Sequence, residues 1–501
     1  MMDTFTEVDF EQMSPLVNKI TDGIKTCSEQ HKLCPDISKS STLPSRVIDV
    51  QTVEQDPFLH ISQSNELGKY LALSYCWGGP QRVTLTLASQ SSMEKGISFG
   101  SLPNTIRDAI TVCRALNYQY LWVDALCIIQ DSEEDKSKVI NAMGAIFANA
   151  ALTIMASNTP SVEQGFLSSA RPSHTCDLPF LLPSRETTVV RCSLSPPTHI
   201  SDHNPGSRRG WIFQEDKLSV RQLQFHPMSI RWLCAENAQN LTSSMSNRSP
   251  KSNLAMPAPW TVSTKISYPE IEEWWRSLLV AYSSREFTFP DDRLPALSGI
   301  ITYLMPMLEP GNTYLAGLWK SSIISQLRWT RDAGYPLKNP PPVPTKRLRG
   351  PTWSWVSLAS MISISSYESI YQNPRPAKLV SCTIELANPE MPLGQVKQGI
   401  LVLEACIAPA PRIEIGGILG RKLNIAWDCQ MESETSSGED SEDIWLLLQH
   451  GKTTYESRIS ALVLRPTTNA RYIRVGAVIV EPDIHHLVWP DANLRERITI
   501  V

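Results

Sequence analysis

Between Tyr70 and about Ser157, short apolar runs alternate with stretches in which apolar residues recur every three or four positions. Tyr70-Leu-Ala-Leu-Ser-Tyr-Cys-Trp77 is apolar and aromatic, and Gly78-Gly79-Pro80 stops it. This pattern predicts a buried strand followed by a turn. Pro103 opens a helix, at a position where its missing N–H costs nothing. Ile106, Ala109, Ile110, Cys113 and Leu116 give that helix one apolar face. Tyr120-Leu-Trp-Val123 is a second strand. Ser132 is an N-cap candidate for the next helix, with Glu133, Glu134 and Asp135 complementing its positive end. Val139, Ile140, Met143, Ile146, Phe147 and Ala150 form its apolar stripe, and Ala151–Ala156 is a third strand. Strand and helix in alternation specify a parallel sheet with right-handed crossovers, so the core is expected to be α/β.

Further along, the pattern loosens. From about Phe166 to Ser207 the chain is rich in Pro and Ser with no strong period. The segment Arg208–Glu215 is expected to be helical, and Val220–Phe225 with Ser229–Cys234 reads as a strand pair around His226-Pro227. A polar gap from Asn237 to Ser252 marks a boundary. Ile271–Ser283 is amphipathic, and Leu294–Met307 and Tyr314–Trp329 are also expected to be helical. Pro336–Pro351 is a Pro-rich connector that no helix can cross. Val- and Ile-rich runs after Val380 predict a small β-rich region, and the acidic stretch 431–443 a loop. The expected organisation is a lead-in helix and strand over 1–69, a core domain over 70–236, a helical region over 253–335 and a β-rich region over 352–501.

Composition narrows the function classes. At 501 residues the chain exceeds what one core usually supports. A formal charge of -4 offers no clustered positive surface for phosphate, so nucleic acid is not an expected partner. The one basic cluster, Lys346, Arg347 and Arg349, reads as a solvated loop beside the Pro-rich stretch. No apolar run is long enough to span a bilayer, and the acidic beginning at Asp3, Glu7, Asp9 and Glu11 is unlike a secretory leader. An odd number of cysteines, 11, spread over the whole chain does not form a disulfide framework, which points to a reducing, cytoplasmic location.

Three of these segments resemble the signatures of the fungal heterokaryon-incompatibility (HET) family in order and spacing. They are Leu71–Gly79, Leu102–Ile110 followed by Tyr120–Asp131, and Arg209–Glu215 with Leu218-Ser219 and Arg221. Cys27, His31, Cys34 and Leu43-Pro-Ser-Arg46 resemble the family's lead-in; Tyr282–Arg285, Asp292–Gly299, Tyr314–Trp319 and Trp353–Trp355 resemble its continuation. Departures are mild: Phe147 stands where a Tyr is common and Gly210 where a larger residue is common. The resemblance implies an intracellular factor of self/non-self recognition and programmed cell death, working with a protein partner or by self-association. It also implies a remote likeness to the Toll/interleukin-receptor fold, some members of which cleave NAD.

In a parallel α/β sheet, ligands bind beyond the carboxyl ends of the strands. Tyr75, Trp77, Gly78 and Gly79 after the first strand, with Arg209, are therefore candidates for holding a nucleotide; the alternative is a core tryptophan and a glycine turn. Cleavage of NAD's glycosidic bond passes through an oxocarbenium-like state that a placed carboxylate stabilises. Glu215, Asp131 and Asp124 are the candidate acids. Each has a structural alternative: Asp124 closes a strand, Asp131 precedes a helix, and Glu215 has Arg209 and Arg221 nearby as ion-pair partners. Cys27, His31 and Cys34 share one helical face and suit zinc, but a structural site wants four ligands and the sequence shows three. Cys76 and Cys127 sit in apolar runs, where cysteine behaves as a small hydrophobe. Phosphate-loop, serine-hydrolase and metalloprotease motifs are absent from the sequence. Two classes stay open: a signalling module acting through interaction, and an enzyme for which NAD would be a substrate and not a resident cofactor.

Overall fold

The computed structural model describes residues 10–37, 39–167, 175–181, 187–193, 204–226, 229–241, 268–331, 347–364, 377–409, 425–428, 445–450, 459–467, 469–480 and 495–501. The chain divides into two compact units, Met1–Ser263 and Thr264–Val501. Among the described residues no helix is long and apolar enough to cross a membrane.

The first unit opens with helix α1 (Phe10–Gln30), which turns Ile20 and Cys27 into the core. Two short strands follow, β1 (Arg46–Asp49) and β2 (Phe58–Ile61). The alternating segment then gives β3 (Tyr70–Ser74), α2 (Asn104–Ala115), β4 (Tyr120–Trp122), α3 (Glu133–Asn149) and β5 (Leu152–Met155). Next come α4 (Gly210–Leu218), β6 (Gln222–His226), β7 (Ser229–Leu233) and β8 (Ala238–Asn240). Ser132 caps α3 as its sequence implied, its hydroxyl accepting the Asp135 N–H at 3.2 Å. Every residue of β3 and β5 is buried, as expected of strands covered on both faces.

The sheet is mixed where an all-parallel sheet was expected. Its eight strands run in the order β8-β7-β6-β5-β3-β4-β1-β2. The central four, β6, β5, β3 and β4, are parallel, whereas β7 and β8 on one side and β1 and β2 on the other are antiparallel to their neighbours. The cause lies in the connections. Only two residues separate β6 from β7, which suffices for a hairpin and is far too short for a crossover helix. The polar gap from Asn237 likewise opens with an edge strand, since Ala238–Asn240 pairs with β7. Within the loosely patterned stretch before α4, Thr175–Leu181 and Thr187–Ser193 form an antiparallel hairpin.

The second unit begins with the expected amphipathic helix, Tyr268–Ser283. The helix expected over Leu294–Met307 is confined to Ser298–Leu304, with 3₁₀ turns at Pro295–Leu297 and Met305–Met307. Pro295 and Pro306 account for this, since neither can sit inside a helix. Tyr314–Trp329 is mostly not helical. Tyr314-Leu315 and Leu318-Trp319 pair as a tight hairpin, one helical turn follows at Ile323–Gln326, and Trp329–Arg331 pairs with Ile362–Ile364. The hairpin turns on Ala316 (φ 47°) and Gly317 (φ 97°), and a side chain on Gly317 would strike the Trp355 indole.

From Lys378 on, the unit is β-rich as expected. Strands Lys378–Leu386, Val396–Ala405, Glu496–Ile500, Tyr472–Val480, Ile459–Pro466, Trp445–His450 and Ile407–Pro409 lie side by side in that order, with Ile425–Trp427 also paired to Tyr472–Val480. Arg347 is not the solvated residue its neighbours suggested. Its guanidinium contacts Asp428 at 2.8 Å, and that carboxylate, fully buried, also receives the fully buried Arg474 at 3.1 Å. The acidic stretch 431–443 and most of the Pro-rich connector lie outside the described residues.

Candidate functional site

Parallel pairing sets the carboxyl ends of β3, β4, β5 and β6 along one edge, and the ends of β3 and β4, with helix α4, supply a polar cluster. After β3 the chain runs through Tyr75, Cys76 and Trp77 to Gly78 (φ 72°) and Gly79 (φ 144°). Gly78 is required by contact as well as by conformation, because a Cβ there would lie 2.5 Å from Ser161 Cα. Gly79 has nothing within 4 Å of its would-be Cβ. After β4 comes Asp124, first residue of a single helical turn, Asp124–Cys127. After β5 come Ser157 and Asn158, both half-buried.

Asp124 is the hub of the cluster. Its Oδ2 accepts the Trp77 indole N–H at 2.8 Å and its Oδ1 accepts the Ala125 backbone N–H at 2.6 Å. The Tyr75 hydroxyl also faces this carboxyl. Burial raises the Asp124 carboxyl above the ordinary range, while the Trp77 and Ala125 donors, the nearby Tyr75 hydroxyl and the charge of Arg209 work against the rise. Asp124 and Trp77 keep part of their surface exposed, so the cluster has a mouth.

Glu215 forms the floor. It lies on α4, which packs on α3 and is tied to β5 by Ser219, whose hydroxyl meets Thr153 Oγ1 at 2.7 Å and the Glu215 carbonyl at 2.6 Å. Ile212 of α4 packs against Cys76 and Met155, fixing the helix beside the ends of β3 and β5. Glu215 is 8% exposed. Burial pushes its carboxyl up to about 8, opposed by the Ser74 hydroxyl and Arg209 and reinforced by the negative charge of Asp124. The two acids thus differ in donor supply: the Trp77 indole and the Ala125 amide donate to Asp124, whereas the Ser74 hydroxyl near Glu215 makes no hydrogen bond. Unequal environments of this kind push the proton affinities of neighbouring acids apart.

The candidates read from sequence therefore divide. Asp124, Glu215, Tyr75, Trp77 and Arg209 come together. Asp131 does not share that environment; it is exposed, and its carboxylate accepts the Leu87 N–H at 2.9 Å. Trp122 is core, 1% exposed and edge-on to Phe147, whereas Trp77 is at the mouth. Arg221, the other cation suggested for Glu215, instead donates to Cys27 Sγ at 3.1 Å and to the Pro35 carbonyl. Burial raises the Cys76 thiol and pushes Cys127 up to about 12, so neither is poised as a thiolate. Ser74 was missed as a site residue because nothing in an apolar strand singles out one hydroxyl.

A second cluster lies at the other flank of the sheet. Cys27 and His31 of the lead-in meet Cys34 and also Cys234, which follows β7. All four ligand atoms lie within 4.8 Å of one another. Cys234 was read as the end of a strand; about 200 positions separate it from the other three, and no local spacing signals the union.

Residues 70–215 match the sequence model of the family described as heterokaryon incompatibility protein (HET). The match shows a heterokaryon-incompatibility domain within the chain, and Tyr75, Asp124, Arg209 and Glu215 all lie inside the matched segment. No curated protein and no solved structure matches the chain.

Proposed function

We infer that this chain is a heterokaryon-incompatibility-type factor of fungal self/non-self recognition, and that its HET domain triggers cell death through the Tyr75–Asp124–Arg209–Glu215 cluster. One observation carries this reading: residues from all three signature segments, far apart in sequence, converge on one half-open polar cluster at the carboxyl edge of the sheet. A fold needs no such cluster there, because buried acids cost stability unless fully paired. Death would be transmitted through a protein partner or self-association in the cytoplasm. The test is induced expression of the chain beside Glu215→Gln and Asp124→Asn at matched soluble levels. Wild type should reduce viability and both variants should spare it; equal killing by all three would remove the cluster from the account.

A second reading is favoured by the inequality of the two acids. Hydrolysis of the NAD glycosidic bond calls for a carboxylate beside the oxocarbenium-like carbon; nicotinamide departs with the bonding pair as a neutral molecule, and the attacking water gives up one proton. In this reading Asp124 would be the carboxylate beside the reacting carbon, and Glu215, which holds its proton up to about 8, would act by donating a hydrogen bond and not by protonating the leaving group. This reading supposes that the likeness to the Toll/interleukin-receptor fold implied by the sequence resemblance holds and extends to activity. Cellular NAD followed after induction separates the two: NAD that falls before viability does supports hydrolysis, and death with NAD intact supports signalling by interaction.

A further inference from the structure

The lead-in cluster stands apart from the HET-domain acids and has chemistry of its own. α1 docks across the β7–β8 flank of the sheet. A Cβ on Gly23 would be 3.3 Å from the Trp232 indole, so helix and strand touch there with no room to spare. Lys19 Nζ donates to the Leu241 carbonyl at 2.6 Å. At the far end of α1, Cys27 is completely buried, and Cys34 and Cys234 are nearly so. His31 sits half-buried between them, its Nδ1 3.3 Å from Cys234 Sγ and 3.7 Å from Cys34 Sγ. Around a tetrahedral zinc with bonds of about 2.3 Å to sulfur and 2.0–2.1 Å to nitrogen, neighbouring S and N ligands stand roughly 3.6 Å apart. The observed separations fall on either side of that value.

We propose that Cys27, His31, Cys34 and Cys234 form a structural zinc site that fastens the N-terminal helix to the edge of the HET-domain sheet. Three thiols and one imidazole complete a tetrahedral set and leave no position open, which marks a structural and not a catalytic centre. Binding releases three protons as the thiols become thiolates, and the resulting Zn(Cys)₃(His) centre carries one net negative charge. Arg221, nearly buried, already directs its guanidinium Nε to Cys27 Sγ at 3.1 Å and offsets that charge. The chain at Cys234 is folded back on itself, with the Cys234 N–H on the Asn237 carbonyl at 2.8 Å, and the backbone amides of Glu236 and Asn237 turn towards the sulfur. Amides aimed at a ligand sulfur orient it and stabilise its thiolate form. A disulfide between any two of the cysteines would leave the third thiol and the imidazole without purpose. The reducing location expected from the cysteine pattern favours the metal.

The test uses the full chain, purified under reducing conditions without chelator. Elemental analysis should find about one zinc per chain, and Cys234→Ser should lower this at least tenfold, while Cys382→Ser, in the second unit, should leave it unchanged. Should Cys234→Ser fail to fold, cobalt exchange into wild type still decides. One equivalent of cobalt should give the intense visible bands of a tetrahedral ion with thiolate charge transfer, abolished by a single equivalent of zinc. Wild type with zinc well below one per chain and no such cobalt spectrum would overturn the proposal, as would a disulfide joining two of the three cysteines under the same conditions.

Discussion

Two buried carboxylates, one in each unit, are held in opposite ways. Asp428 is fully buried, yet two guanidinia meet it, Arg347 at 2.8 Å and Arg474 at 3.1 Å. Arg474 in turn donates to the Leu327 and Trp329 carbonyls at 2.8 and 2.5 Å and lies over the Trp329 ring, 3.2 Å from its centre. Each charge there has its partners, and the group binds together a Trp-rich core. Glu215 is almost as deeply buried but has chiefly one hydroxyl and a half-buried arginine beside it, with another acid close enough to repel it. Its carboxyl is left with an affinity for protons far above its ordinary one. A paired buried charge stabilises one conformation; a poorly paired buried acid is the kind that proteins place where protons or charges must move.

The largest effect should come from breaking the paired side. Asp428→Ala strands Arg474 in the core and should cost about 3 kcal/mol or more, read as a lower denaturant midpoint for the second unit. A loss below about 1 kcal/mol would mean that the carbonyls alone satisfy the guanidinium.

Glu215→Gln should behave differently, and its effect should depend on pH. The folded state holds a proton up to about 8, whereas an ordinary glutamate releases it near 4.5. The contribution of that proton is therefore complete below about 4.5 and is lost as pH rises through about 8. The glutamine variant has no such proton to lose. Its unfolding midpoint should lie close to wild type at pH 5 and above wild type at pH 8.5; parallel profiles would show that Glu215 ionises normally.

Smaller effects should come from the loop. Gly78→Ala forces a Cβ onto the Ser161 backbone at a positive φ and should cost about 2–3 kcal/mol in thermal or denaturant unfolding. Gly79→Ala has open space and should cost about 1 kcal/mol, through its backbone angle alone. Trp77→Phe keeps most of the apolar contact but removes the indole donor to Asp124. It should cost about 1 kcal/mol and move the Asp124 titration, followed by NMR, to higher pH.

The same contrast marks what could be read in the sequence. β3, α2, β4, α3 and β5 were legible because turn residues bracket apolar runs of the right length, and because period alone separates strand from helix there. The Tyr314–Trp329 hairpin was not, since one of its two left-handed residues is Ala316, a type that gives no turn signal. Of the site, Asp124 and Glu215 could be named from motif position and strand ends. Their unequal environments depend on Ser74, Trp77 and Arg209 arriving from elsewhere in the fold. Cys234, like Asp428, meets its partners across long sequence separations that no periodicity encodes.

The most direct test of the central claim is viability after induction of wild type and Glu215→Gln at equal folded abundance. Death with wild type and survival with the variant would place the outcome of the HET domain in this acid. Equal death with both would make Glu215 a buried structural group like Asp428, and the convergence of the three signature segments a matter of folding alone.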